Sequence, residues 1–168
     1  VIVAMISIIA LALFILRPLL FDTKPTLSGG SGKAITVEPQ FAHEGVLVFL
    51  NTNQDTLRQV DIEIADTNIE RNQGMMYRSS MSYDRAMLFI MEYEKEQSFW
   101  MRNTKMSLDI IYVDGNMEIV TIYKHTQPFS DSPIPSFKRA KYVVETSAGF
   151  CDQYGIVEGN RIAFTRFE

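Results

Sequence analysis

The stretch "LDIIYVDGNMEIVTIY", residues 108–123, decides the fold. Two apolar runs flank Asp114, Gly115 and Asn116, and Gly or Asn tolerates the positive φ that a tight hairpin turn needs. The segment therefore predicts two antiparallel strands. Asp109 interrupts the first run, so its side chain faces opposite to Leu108 and Ile110. If that face is interior, the carboxylate needs partners, and the amides of residues 103–106 or an arginine are the candidates.

Working outward, strands dominate. Downstream, "KHTQPFSDSPIPSFKR" (124–139) reads as a long Pro/Ser loop and "AKYVVET" (140–146) as a strand. Ser147 is placed to cap a short helix, "AGFCDQY", that Gly155 would end. "RIAFTRF" (161–167) is a final strand. Upstream, "AMLFIM" (86–91) and "QSFWM" (97–101) read as strands around a charged turn, "EYEKE". Residues 67–78, "TNIERNQGMMYR", predict a helix of two to three turns, because Thr67 and Glu70 have capping-box spacing. In "LRQVDIEIAD" (57–66), Val60, Ile62 and Ile64 alternate with Asp61 and Glu63, the period of a half-buried strand. "VLVFLN" (46–51) precedes it across a polar break. Many short strands with two short helices predict an α+β, mainly β domain, either a compact small barrel or a strongly curved sheet.

The 168 residues suit one domain plus an appendage, and 46% hydrophobic residues suffice for a real core. The first 16 residues carry no charge. As a helix they would span about 24 Å, against the roughly 20 residues a bilayer crossing needs. The sequence opens on Val1 rather than Met, and a few preceding residues would complete the span. Residues 1–21 are therefore expected to be an N-terminal membrane anchor. A signal peptide is the competing reading, with Ala10 and Ala12 in an A-x-A pattern, but apolar residues continue past it. Residues 22–45 read as a flexible linker and pre-strand segment, and residues 46–168 as the β-rich domain. The "GGSG" in the linker is no phosphate loop, since no strand precedes it and no GK[ST] follows.

The chain has a formal net charge of −4. From residue 33 onward, 14 Lys+Arg stand against 19 Asp+Glu, a net of −5. That balance argues against nucleic acid as a partner, which needs clustered positive charge. A single cysteine, Cys151, excludes an internal disulfide.

Several segments together resemble the bacterial and archaeal family DUF192. They are "RNQGMMYR" (71–78), "AMLF" (86–89), "SFWMRNTKMSLDIIYVDGN" (98–116), "AKYVVETSAGF" (140–150) and "GIVEGNRI" (155–162). Departures fall at Ser107, Ala86, Ser147 and Asn160, where the family has proline, glycine, asparagine and aspartate. The resemblance implies a mainly β fold and, for many members, an export signal or anchor. It implies no established reaction. The expected place of the domain is the extracytoplasmic side, although Arg17 and Lys24 after the apolar segment argue mildly against export.

Trp100 has two readings, a packed core tryptophan or a stacking platform beside a cleft with Arg102 and Asn103 at its edge. Asn103 and Thr104 suit a turn, since Asn tolerates the left-handed region and both side chains bond nearby backbone. Arg71 and Arg78, seven apart on the expected helix, would share a face and could pair with Asp109 and Glu145. The ligand-binding candidates are Trp100, Arg102, Asn103, Thr104, Arg71, Asp109 and Glu145. Asp109 and Glu145 are also the candidate pair for glycosidase-like hydrolysis. Met75, Met76, Met81, Met87, Met91, Met101 and Met106 form the basis of a copper-handling alternative, because converging thioethers select Cu(I). Neither His43 nor His125 sits in a metal-ligand spacing, and no cofactor motif occurs. Together these features predict a non-catalytic binding module for an envelope glycan, peptide or protein.

Overall fold

The computed structural model describes residues 38–168. The expected anchor (1–21) and the first part of the linker lie outside the described residues. Among the described residues, no helix is long and apolar enough to cross a membrane.

Seven strands and two short helices follow in the order β1 (Gly45–Leu50), β2 (Thr56–Ala65), α1 (Asn68–Gln73), β3 (Arg85–Phe99), β4 (Leu108–Val113), β5 (Ile119–Tyr123), β6 (Ile134–Ser147), α2 (Phe150–Tyr154) and β7 (Arg161–Arg166). They form one strongly curled half-barrel sheet in the order β5-β4-β6-β3-β2-β1-β7. The mainly β expectation with a curved sheet and two short helices is therefore what the described residues adopt. The sheet's two edges meet at one end, where Glu118 bridges Arg161 and the Ile119 amide donates to the Asn160 carbonyl at 2.8 Å.

All pairings are antiparallel except β2 with β3. Parallel neighbours need a crossover of a dozen or more residues, usually through a helix. Residues 66–84 supply it and carry α1. The helix starts as its sequence predicts: the Glu70 amide donates to Thr67 Oγ1 at 3.2 Å, and the Thr67 amide donates to Glu70 Oε2 at 3.0 Å. It ends sooner than predicted, at Gly74, whose φ of 45° and ψ of −134° lie in a region that essentially only glycine occupies. Arg78 is therefore not on the helix.

The sheet has a core on each face, which explains why β4 is buried along its whole length. Along β3 and β4 the period-2 alternation sends Ala86, Leu88, Ile111 and Val113 to one face, with Leu47, Ile62, Val144, Ile162 and the α2 residue Phe150. It sends Met87, Phe89, Leu108, Ile110 and Tyr112 to the other, with Met75, Met101 and Val143.

Three further expectations are corrected. The charged "EYEKE" is not a turn: β3 runs through it, paired with β6 on both sides, and the register jumps from Ile90↔Tyr142 to Lys95↔Ala140. The extra residues form a bulge whose carbonyls are covered by β6 side chains. Lys141 Nζ donates to the Met91 carbonyl at 2.6 Å, and Arg139 donates to that of Glu94 at 2.6 Å. The Pro/Ser loop is shorter than expected, because residues 134–139 already belong to β6. Ser147 ends β6 instead of capping α2. The cap position is Gly149, at φ 87° with no side-chain hydrogen bond.

In the opening hairpin the positive φ falls on Met117, at 67°. Gly115 makes room for something else, the Glu94 carboxylate. A Cβ there would lie 2.8 Å from Glu94 Oε2, while its amide donates to Glu94 Oε1 at 3.0 Å. The turn itself is organised by Asp114 Oδ1, which accepts from the amides of Asn116 at 2.8 Å and Glu118 at 2.9 Å.

Candidate functional site

Opposite the α2 side of the sheet, α1 and the loop after β3 face each other across a cleft of about 280 Å³. One wall is α1 and its exit, with Asn68, Arg71, Asn72, Gln73, Gly74, Met75 and Met76. The other wall is Ser98, Phe99, Trp100 and Thr104, and the floor is Phe89, Met91 and Glu145. The walls are stapled together. The Tyr77 amide donates to the Asn103 carbonyl at 2.9 Å, and Asn103 Nδ2 donates to Tyr77 Oη at 3.0 Å. Asn103 takes φ 55°, the left-handed turn conformation its residue type suggests.

Trp100 is not a core residue. It is 46% exposed and lines the cleft. The Arg102 guanidinium stacks on its ring at 4.3 Å and is held there by a 2.6 Å contact from Nε to Asp131 Oδ1. Arg102 thus covers one indole face instead of lining the cleft. Thr104 is buried, and its Oγ1 donates to the Arg102 carbonyl at 3.3 Å. Arg71 reaches the cleft from α1, and its guanidinium is bound by the carbonyls of Asp66 and Ile90 and by Asn68 Oδ1. It pairs with neither Asp109 nor Glu145. Arg78 instead forms a bidentate pair with Glu63, at 2.8 and 2.6 Å.

Register separates the two candidate carboxylates. Glu145 stands opposite Ile110 across β4 and β6, and Asp109 opposite Thr146. Directly paired residues share a face and neighbours alternate, so Asp109 and Glu145 project from opposite faces of the sheet. Asp109 is fully buried and accepts from the amides of His125 at 2.9 Å, Gly149 at 3.2 Å and Cys151 at 2.9 Å. Its partners are amides, as expected, but they come from the β5 exit and the start of α2, not from residues 103–106. It organises that end of the barrel and takes no part in the cleft.

Glu145 is the opposite case. It is 4% exposed, and Oε2 finds no hydrogen-bond partner among the described residues. Burial pushes its carboxyl up to about 8, against a smaller opposing pull from Arg78. At neutral pH it is mostly the neutral acid. Gly74 lies directly beside it. A Cβ on Gly74 would stand 3.9 Å from Glu145 Oε2 and only 3.0 Å from the Phe89 ring. Gly74→Ala is therefore expected to lower stability by about 1–3 kcal/mol, from a strained φ and a blocked floor. Thermal unfolding measures the first effect, and a ligand titration the second.

Of the sequence candidates, the fold brings Trp100, Thr104, Arg71 and Glu145 into the cleft, sets Arg102 and Asn103 behind its rim, and puts Asp109 elsewhere. The lining residues missed are Asn68, Asn72, Gln73 and Gly74 of α1 and its exit, and Phe89, Ser98 and Phe99 of β3. The signal for Gly74 was present, a glycine one turn after a capping box. The methionines divide. Met75, Met76 and Met91 line the cleft, while Met87 and Met101 are packed in the core, where Met101 Sδ accepts from Thr126 Oγ1 at 3.2 Å.

Three comparisons place the chain. The family model of DUF192, described as "Uncharacterized ACR", matches residues 49–164. A UPF0127 protein of Thermococcus sibiricus is 31% identical over 103 residues, which cover 60% of this chain and 64% of that relative, so the match falls short of two thirds of its length. Two crystal structures share the fold. A protein of Sinorhizobium meliloti 1021 described as a "putative transcription regulator" superposes with a TM-score of 0.70 at 29% identity, over 76% of this chain and 98% of that one. A protein of unknown function from Novosphingobium aromaticivorans gives 0.67 at 26% identity, over 70% and 83%. The chain belongs to the DUF192 family.

Proposed function

We propose that this DUF192 domain is a non-catalytic binding module, tethered by residues 1–21 on the extracytoplasmic side, that holds an envelope glycan, peptide or protein segment in the Trp100–Glu145 cleft. One observation carries the reading: an exposed aromatic and an unpartnered buried carboxyl face one solvent-open cleft whose lining is about equally apolar and polar. Ligand sites commonly combine aromatic and apolar side chains with placed polar groups. The geometry disfavours two-carboxylate hydrolysis, because Asp109 and Glu145 lie on opposite faces of the sheet and Asp109 is already saturated by three amides. The acidic balance favours a partner other than nucleic acid.

The test uses the lone tryptophan. Its half-exposed ring predicts red-shifted emission that an aqueous quencher reduces readily. Bound ligand should shield it. If a screen of glycan fragments, peptides and their component groups never alters the quenching of Trp100, the module reading fails.

Copper handling is a second reading, supported by Met75, Met76 and Met91 sharing the cleft. Cu(I) should then raise the melting temperature, and triple replacement of these methionines by leucine should remove the rise. An unchanged melting temperature with Cu(I) eliminates it.

A further inference from the structure

We propose that the cleft is an ammonium site: it takes a primary amine on a short alkyl stem, of the lysine side-chain class, with Glu145 as its counter-ion. The inference rests on the binding-module reading and specifies its ligand.

The starting point is the orphan oxygen. Buried polar atoms are almost always hydrogen-bonded, and a lone exception calls for an account. Glu145 Oε2 has no donor within reach among the described residues, although the residue is only 4% exposed and lines the cleft. A ligand that brings donors would complete it. An ammonium brings three N–H groups and a full positive charge.

The remaining lining favours a cation on an apolar stem over a sugar. Phe89, Phe99 and Trp100 present ring systems, and Met75, Met76 and Met91 present thioethers. Ring faces attract cations, and thioethers pack against methylene groups without demanding hydrogen bonds. A sugar ring needs a polar partner for each of several hydroxyls; the polar groups of this cleft stand on its walls, and the buried floor offers the Glu145 carboxyl alone. A cleft of about 280 Å³ sits at the lower edge of small-molecule sites, which suits a narrow stem. The amides of Asn68, Asn72 and Gln73 stand on the α1 wall, placed to hold whatever carries the stem.

The charged groups around Glu145 are accounted for. Arg71, from α1, is the other ionic lining residue, and its guanidinium is bound by two carbonyls and Asn68. Arg78, from the β2–β3 crossover, is paired with Glu63 of β2. Tyr112, from β4, is buried and held neutral, its hydroxyl donating to the Ile134 carbonyl. None of these neutralises Glu145, so burial keeps its carboxyl protonated.

That protonation gives the proposal a signature. An ammonium needs the carboxylate, so binding must expel the proton that Glu145 carries. Affinity should rise about tenfold per pH unit below the carboxyl's own value and level off above pH 8. A neutral acceptor held by the protonated acid would show the reverse, weakening as pH rises through 8.

The experiment titrates the full chain with n-pentylammonium and with its neutral analogue 1-pentanol. Trp100 fluorescence reports binding, and calorimetry in two buffers of different ionisation enthalpy counts protons. The expected result is saturable binding of pentylammonium, about tenfold tighter at pH 7 than at pH 6, with release of nearly one proton. Glu145→Gln should weaken it at least tenfold while the protein stays folded by circular dichroism, and 1-pentanol should bind at least tenfold more weakly. Equal binding of 1-pentanol, binding unaffected by Glu145→Gln, or affinity that falls from pH 6 to 8 overturns the proposal. If pentylammonium leaves Trp100 unchanged while a glycan fragment or a lysine-free peptide shields it, the ammonium assignment fails and the binding module stands. If nothing shields Trp100, both fall.

Discussion

Asp109→Ala is expected to lower stability by about 2–4 kcal/mol. The reason is arithmetic of partners. One fully buried carboxylate satisfies the amides of His125, Gly149 and Cys151. Removing it strands the buried Cys151 N–H, at a cost of about 1–3 kcal/mol, and takes the acceptor from the part-buried amides of His125 and Gly149, which cost less because water can reach them in part. Those amides belong to the chain leaving β5 and to the first turn of α2, whose Phe150 fills the barrel face of the sheet. Asp109→Asn should be milder, because one oxygen can still accept while the new NH₂ opposes an amide. Urea unfolding followed by Trp100 emission measures both. A loss below 1 kcal/mol for Asp109→Ala would mean that the three amides find other partners, and the anchoring role would be lost.

Glu145→Gln should have the opposite sign, and only above mildly acidic pH. The Glu145 carboxyl is raised from 4.5 to about 8 by burial, so the folded state holds a proton that the unfolded state releases. Its stabilising contribution is complete below pH 4.5 and drains as pH rises, and it is gone above pH 8. The native protein should therefore lose a few kcal/mol between about pH 5 and pH 8 from this residue. Gln is neutral throughout and nearly isosteric with the protonated acid. Its variant should match the native protein at pH 5 and exceed it at pH 8. Thermal melts at the two pH values decide the matter. A parallel pH dependence in both proteins would show that Glu145 is charged and solvated in the fold, and the ammonium site would lose its counter-ion logic as well.

The elements legible from sequence are those governed by local rules. The alternation of Val60, Ile62 and Ile64 announced β2, and the Thr67–Glu70 capping box announced the start of α1. What stayed illegible depends on distant partners. Nothing near "EYEKE" shows that Lys141 and Arg139 will cover its carbonyls, so a bulge looked like a turn. Pro135 argued against a strand, yet it pairs with Ser98 at the far end of the β3–β6 ribbon. The site follows the same division. Trp100, Thr104, Arg71 and Glu145 stood out by residue type. Their convergence, and the exclusion of Asp109, required the β4–β6 register, which joins residues distant in sequence, as in Asp109↔Thr146 and Ile110↔Glu145.

The pairing of β1 with β7 has a kinetic consequence. Gly45 lies against Arg166 and Leu50 against Arg161, so the first described strand finishes its hydrogen-bonding only with the last. Closing so long a loop is entropically slow, and folding rates fall as contacts become less local. During synthesis, β1 and β2 emerge early as a two-stranded hairpin, which is marginal alone in water. Their apolar face waits for β3, β6 and finally β7. The nascent chain therefore remains open until its final strand has been made, and a ribosome-bound chain stopped before Arg161 should be digested by protease far faster than the finished one.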